Sequence, residues 1–304
     1  MSFTFLFITK GRNEFEKSLT KCIEQSKKLK SIKIVIIDGN EDDRVKNFLK
    51  INNYIENIKI VKQKKGKFVR ACLIAIDNLE TDYFTFMHDD DFISPYFYKL
   101  INFAVKNQTS VIGNGIVIPK NNDEFLFSKI DNLNKINSKN LLNNYFCSKK
   151  ISNKFLPANP ACSVFKKEVA YIWISVIKEI VKDRFLSYYF FYKNIGQDLL
   201  LYLISLSIQK DIFYYENYTC QFSSHEDSMS VNFGSNNLGV GYWLAKKVYT
   251  RFEGNLFQHK TTMLEQLNLF LRGILYCVKQ GSNNQKFYFH STKKLLEQIF
   301  NYKK

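Results

Sequence analysis

Residues 83 to 95 read YFTFMHDDDFISP, an apolar aromatic run that ends in one histidine and three consecutive carboxylates, Asp89, Asp90 and Asp91. Three adjacent carboxylates repel one another, and some would be driven towards protonation unless something positive answers them. A hard divalent cation is one such answer. Mg²⁺ or a similar ion takes oxygen ligands from one or two carboxylates and fills its sphere with water and substrate phosphates. Capping the helix expected behind Ser94 is a weaker account, because Ser94 already serves as its cap and Pro95 takes its first position. A second acidic turn, IVIIDGNED, places Asp38 before Gly39; turn chemistry alone accommodates that pair.

The elements that would position these groups follow from hydrophobic periodicity. Phe3 to Ile8, Ile32 to Ile37, Ile58 to Val61 and Tyr83 to Met87 are short apolar runs. Between them lie segments of helical spacing: Phe15, Leu19, Cys22 and Ile23; Val45, Phe48 and Leu49; Val69, Cys72, Leu73 and Ile76. Asn13 with Glu16 three positions later has the form of a capping box for the first helix. Continuous apolar strands alternating with amphipathic helices define an α/β fold with a mostly parallel sheet covered on both faces. Ligands of such sheets gather beyond the carboxyl ends of the strands, where Asp38 and the acidic triplet fall.

Beyond residue 106 the pattern loosens. Val111 to Pro119 reads as a glycine-containing strand, 120 to 156 as a long polar excursion, 167 to 182 and 197 to 209 as helices, and Asp211 to Phe222 as a strand. A helical tail runs from about Leu238, with Lys246, Lys247 and Arg251 on one flank. The implied organisation is a ligand-binding half over residues 1 to 106, a second half over 107 to 237, and a helical extension over 238 to 304.

Composition bounds the rest. At 304 residues and 45% hydrophobic content the chain can bury a substantial core. With 44 Lys and Arg against 28 Asp and Glu the formal charge is +16, which suits an anionic partner but equally fits an Asn-, Lys- and Ile-rich compositional drift. The six cysteines form no C-x-x-C pair and sit mainly in apolar periodic segments, so buried reduced thiols are expected. No N-terminal export signal and no run of membrane-spanning length is evident, so a cytoplasmic protein is expected. A dehydrogenase is disfavoured because no G-x-G-x-x-G follows a strand. A nucleic-acid-binding protein would account for the charge but leave the triplet idle. A sugar-1-phosphate nucleotidyltransferase would need a glycine-rich basic loop after the first strand, where FITKGRNE offers only Gly11. Trp173 and Trp243 are expected to pack, and His259 and His290 to lie at the surface.

Taken in order, FITKGRNE, IIDGNED, KKGKFVRACLIAI and HDDD resemble the landmarks of the GT-A-fold glycosyltransferases of the family 2 type, over roughly residues 2 to 105. The resemblance implies a GT-A Rossmann-like fold and a metal-dependent, inverting transfer of sugar from a nucleotide-diphosphate donor, a UDP-sugar first among them. The acceptor would be a glycan or lipid-linked saccharide in bacterial surface polysaccharide synthesis. It assigns Thr9, Arg12, Glu14, Asp38, Arg70, Asp89 and Asp90 to the nucleotide, Asp91 and His225 to Mg²⁺ or Mn²⁺, and Asp198 in NIGQDLLLYL to the role of catalytic base. Asn159 and Pro160 in LPANPACSVFKK would line the acceptor pocket. His88 departs from the pattern, since many members carry Asp there, and the acidic turn keeps a single Asp before Gly39. The basic, aromatic C-terminal helices are expected to rest on the cytoplasmic face of an anionic membrane; no nucleic acid is expected.

Overall fold

The computed structural model describes residues 2–54, 56–63, 68–119, 127, 133–147, 159–183, 187, 196–224, 234–253 and 261–279. Its centre is a five-stranded sheet in the order β3-β2-β1-β4-β8, built from β1 (Phe3–Thr9), β2 (Ile32–Asp38), β3 (Ile58–Lys62), β4 (Tyr83–His88) and β8 (Phe165–Lys166). The first four pair in parallel and β8 closes the edge antiparallel. Successive side chains of β1 divide between two cores, as a strand's period of two requires. Phe3, Phe5 and Phe7 enter one core with α1 (Phe15–Lys28), α2 (Arg44–Ile51) and α4 (Phe97–Asn107). Leu6 and Ile8 enter the other with α3 (Phe68–Asp77), α6 (Lys167–Val181) and α7 (Gln197–Ile208). This is the mostly parallel, doubly covered α/β sheet expected from the sequence.

A second sheet in the order β5-β9-β6 carries β5 (Asp91–Ile93), β6 (Val111–Pro119) and β9 (Asp211–Ser224), with β7 (Asn134–Asn137) paired to β9. The acidic triplet therefore spans a junction. His88 ends β4 in the first sheet and Asp91 opens β5 in the second, where it lies opposite Phe222.

Several local expectations change. The long polar excursion holds β7 and α5 (Ser138–Cys147); the polar sequence Asn134–Asn137 has no apolar alternation to announce a strand. The capping box of Asn13 and Glu16 does not form. α1 begins at Phe15 behind Glu14, with no side-chain cap. Ser94 sits in a turn ahead of α4, its hydroxyl accepting from Tyr96 N at 3.1 Å.

The C-terminal helices α8 (Gly234–Phe252) and α9 (Met263–Lys279) pack onto the body. Here the expected basic flank is corrected. Lys246 and Lys247 are buried, Lys247 lying over the Trp243 ring, while Arg251 is paired with Asp183 at 3.0 Å. Trp243 packs as expected, its indole N–H donating to Leu269 O, and Trp173 is buried beside Phe86. Cys22, Cys72, Cys162 and Cys220 are buried free thiols. His259 and His290 lie outside the described residues. Among the described residues no helix is long and apolar enough to cross a membrane.

Candidate active site

The carboxyl ends of β1, β2 and β4 lie side by side, with Thr9 in register with Asp38 and Ile8 with His88. The turn after β1 is bound on both sides. Gly39 N donates to Thr9 O at 2.9 Å, and Arg44 Nη1 donates to Gly11 O at 2.9 Å. Gly11 has φ of 71°, a left-handed conformation that strains other residues, and a Cβ there would stand 2.3 Å from Asn40 Oδ1, so a larger residue would also have to push the Asn40 side chain aside.

Each carboxylate of the triplet has its own partners. Asp89, 4% exposed, anchors the β1 turn: its Oδ2 accepts from Thr9 Oγ1 at 3.2 Å and Lys10 N at 3.0 Å. Arg12 Nη1 reaches Asp89 Oδ1 at 3.2 Å and Asp90 Oδ2 at 2.9 Å, one guanidinium answering two acids. Asp91, 1% exposed, faces inward: its Oδ2 accepts from His88 N at 2.8 Å and His88 Nδ1 at 3.0 Å, its Oδ1 from Asn159 Nδ2 at 2.6 Å. Ser18 on α1 donates to the carbonyls of His88 and Asp91, pinning the turn from below. Two protein cations thus share the compensation that the sequence had given to a metal alone.

Asn159 ties this turn to the second half of the molecule. Its Oδ1 accepts from Ala161 N at 2.9 Å, capping a 3₁₀ turn over Pro160–Cys162, and its carbonyl accepts from Tyr202 Oη at 2.8 Å. Pro160 is buried, its carbonyl accepting from Thr85 Oγ1 at 2.7 Å. Tyr202 lies one helical turn beyond Asp198 on α7, so a line of hydrogen bonds joins Asp91 to the helix that carries the candidate base.

Asp198 occupies the first turn of α7, where the helix dipole favours a carboxylate. Burial acts more strongly: it pushes Asp198 up to about 6, with His88 pulling down and Asp91 pushing up. Burial also pulls His88 down, but the charge and hydrogen bond of Asp91, then Asp90 and Asp198, outweigh it and lift the imidazole to about 9. Burial raises Asp91 as well, with His88 opposing. These mutual influences place Asp198, His88 and Asp91 in one electrostatic unit.

Asp38 is fully buried; its Oδ1 accepts from Asn40 N and Nδ2, and Lys62 Nζ lies 2.8 Å from its Oδ2. Lys62 carries no motif, and only the β2–β3 register, Asp38 opposite Lys62, reveals it. Glu14 stands at the start of α1 and Arg70 is exposed on α3. His225 lies outside the described residues.

A divalent cation fits this site. One ligand atom each from His88, Asp90 and Asp91 lies within 4.8 Å of the others, and His88 Nε2 is buried with no hydrogen-bond partner.

The fold and this constellation define a glycosyltransferase. The Glycosyl transferase family 2 model matches residues 7–171, and the chain belongs to that family. Among solved structures, S. aureus TarS 1-349 in complex with UDP-GlcNAc is similar at TM-score 0.61 and 12% identity, covering 98% of this chain and 81% of that one. The same protein in complex with UDP gives TM-score 0.58 and 10% identity, covering 96% and 79%. No curated protein matches by sequence.

Proposed function

We propose that the protein transfers a sugar from a nucleoside diphosphate donor, a UDP-sugar, to a hydroxyl acceptor by direct displacement with inversion. The observation that carries this reading is the convergence of Thr9, Asp38, the 88–91 turn and Asp198 at the carboxyl edge of the parallel sheet. The UDP and UDP-GlcNAc in the similar TarS structures support the choice of donor.

In this reading the nucleoside lies over the β1 and β2 ends, with Thr9 and Asp38 beneath it. The diphosphate faces Arg12, His88 and Asp90. As the acceptor oxygen forms its bond to the anomeric carbon, the bond from that carbon to the diphosphate oxygen breaks. Asp198 takes the acceptor's hydroxyl proton, and the nucleoside diphosphate departs. A bound Mg²⁺ or Mn²⁺, held by Asp90 with His88 or Asp91, would supply charge neutralisation at the leaving group. Arg12, already between Asp89 and Asp90, holds further positive charge at the same place.

The acceptor in this proposal is a glycan or lipid-linked saccharide of bacterial surface polysaccharide synthesis, met at an anionic membrane face. The outward stripe of Leu264, Leu267 and Leu271 on α9, with the net charge of +16, supports a surface contact.

Calorimetric titration of UDP, GDP, CMP and dTDP, with and without Mn²⁺, tests the donor assignment. Metal-dependent binding of UDP, weakened in Asp90→Ala, is expected. Equal weak binding of all four nucleotides, or none, would overturn it.

A further inference from the structure

The acidic triplet offers six carboxylate oxygens, yet the structure leaves them unequally placed to meet a ligand. Asp89 is spent on the β1 turn. Asp91 is turned inward with both oxygens accepting, Oδ2 twice from His88 and Oδ1 from Asn159. The imidazole of His88 stands differently. Its Nδ1 is fixed by the Asp91 carboxylate at 3.0 Å, the ring lies against Phe68 at 5.0 Å between centroids with the planes tilted by 49°, and Nε2 is buried without a partner.

Without metal this imidazole is an imidazolium with a proton on Nε2; a divalent cation would displace that proton to solvent, and with Nδ1–H still donated to Asp91 the Nε2 lone pair would be held in a fixed direction, the arrangement by which proteins orient a metal-binding imidazole. An orphaned buried nitrogen otherwise carries a desolvation cost with nothing in return.

From this geometry we infer that His88 Nε2 is a direct metal ligand beside Asp90, that Asp91 with Asn159 orients the imidazole, and that the mixed nitrogen–oxygen set selects Mn²⁺ over Mg²⁺. The inference rests on the donor-site reading above. The selectivity follows from ligand type: carboxylate and water suit Mg²⁺, whereas an imidazole nitrogen favours first-row transition ions. Asp90 supplies the negative charge, and its link to Arg12 at 2.9 Å gives the site a cation to exchange contacts with as metal and diphosphate enter.

Pulsed electron paramagnetic resonance of the Mn²⁺·UDP complex of the full chain tests this. A nitrogen modulation from a coordinated imidazole is expected. It should change from the ¹⁴N to the ¹⁵N pattern when the protein is grown with ¹⁵N-histidine, which needs no variant. It should survive His225→Ala and vanish in His88→Asp, whose all-oxygen set should also narrow the preference for Mn²⁺ over Mg²⁺ in calorimetry. Mn²⁺ bound with UDP but without nitrogen modulation would overturn the inference and leave the donor reading standing. So would a modulation lost in His225→Ala and kept in His88→Asp, or UDP binding indifferent to Mn²⁺. Absence of UDP binding under every condition would remove both.

Discussion

Replacing Asp198 by Asn removes the proposed base while keeping shape and hydrogen-bonding capacity, and the site predicts three linked consequences. With a pKa of about 6, Asp198 is about nine-tenths ionised at pH 7 and about one-tenth at pH 5. The transfer rate of the wild type should therefore fall about tenfold per pH unit below 6. Loss of a positioned general base costs about 10²- to 10⁴-fold, equivalent to about 3–5 kcal/mol of transition-state stabilisation. Asp198→Asn should show that loss in kcat, no acid limb near pH 6, and unchanged UDP affinity.

Stability should move the other way. A carboxylate whose folded pKa is raised binds its proton more tightly in the native state than in the unfolded one. Its ionisation therefore destabilises the fold as pH rises through about 6. The Asn variant should melt higher than wild type at pH 8 and no higher at pH 4. Steady-state transfer assays across pH 5 to 8, with calorimetric melting alongside, read all three quantities. An Asp198→Asn protein that keeps more than a tenth of wild-type kcat, or retains the acid limb near 6, would refute the assignment.

Other expectations follow from particular contacts. Tyr202→Phe removes the hydroxyl that donates to Asn159 O and bonds Ser163 Oγ at 3.1 Å. It should cost about 1–2 kcal/mol in denaturant unfolding and lower kcat severalfold with donor KM nearly unchanged. Gly196 precedes Asp198 with φ of 90°, and a Cβ there would stand 2.6 Å from Gly241 O. Gly196→Ala should cost about 1–3 kcal/mol by chemical denaturation and displace the base, so that kcat falls more than UDP affinity. Arg12→Met leaves Asp89 and Asp90 without their shared guanidinium; calorimetry should show weaker UDP binding, with metal binding alone retained or strengthened.

Much of this frame was legible because burial on both sheet faces leaves a strong trace. The apolar runs of β1, β2 and β4 and the helical spacings between them identified the strands and helices along the chain, and the parallel-sheet rule then pointed to Asp38 and Asp89 to Asp91 as the candidate site. What the sequence withheld is who answers whom. Asn159 reaches Asp91 across 68 residues and Tyr202 reaches Asn159 across 43, and no periodicity encodes such pairings. The basic flank of α8 misled for a related reason. A lysine's long apolar stem packs as readily as it solvates, so Lys246 and Lys247 read as surface charge while the fold buries them.

The triplet shows how composition and position divide the work. Repulsion among three adjacent acids correctly demands positive charge, but a linear sequence cannot apportion it. The chain reverses direction between two sheets at these residues, so neighbouring carboxylates point to different surroundings. Asp89 meets the β1 turn, Asp90 meets Arg12, and Asp91 meets His88 and Asn159. On the inference above, the departure from the usual acidic pattern at residue 88 is a reassignment of roles: Asp91 becomes a support, and the imidazole, its Nε2 without a partner, becomes the group that would meet the metal.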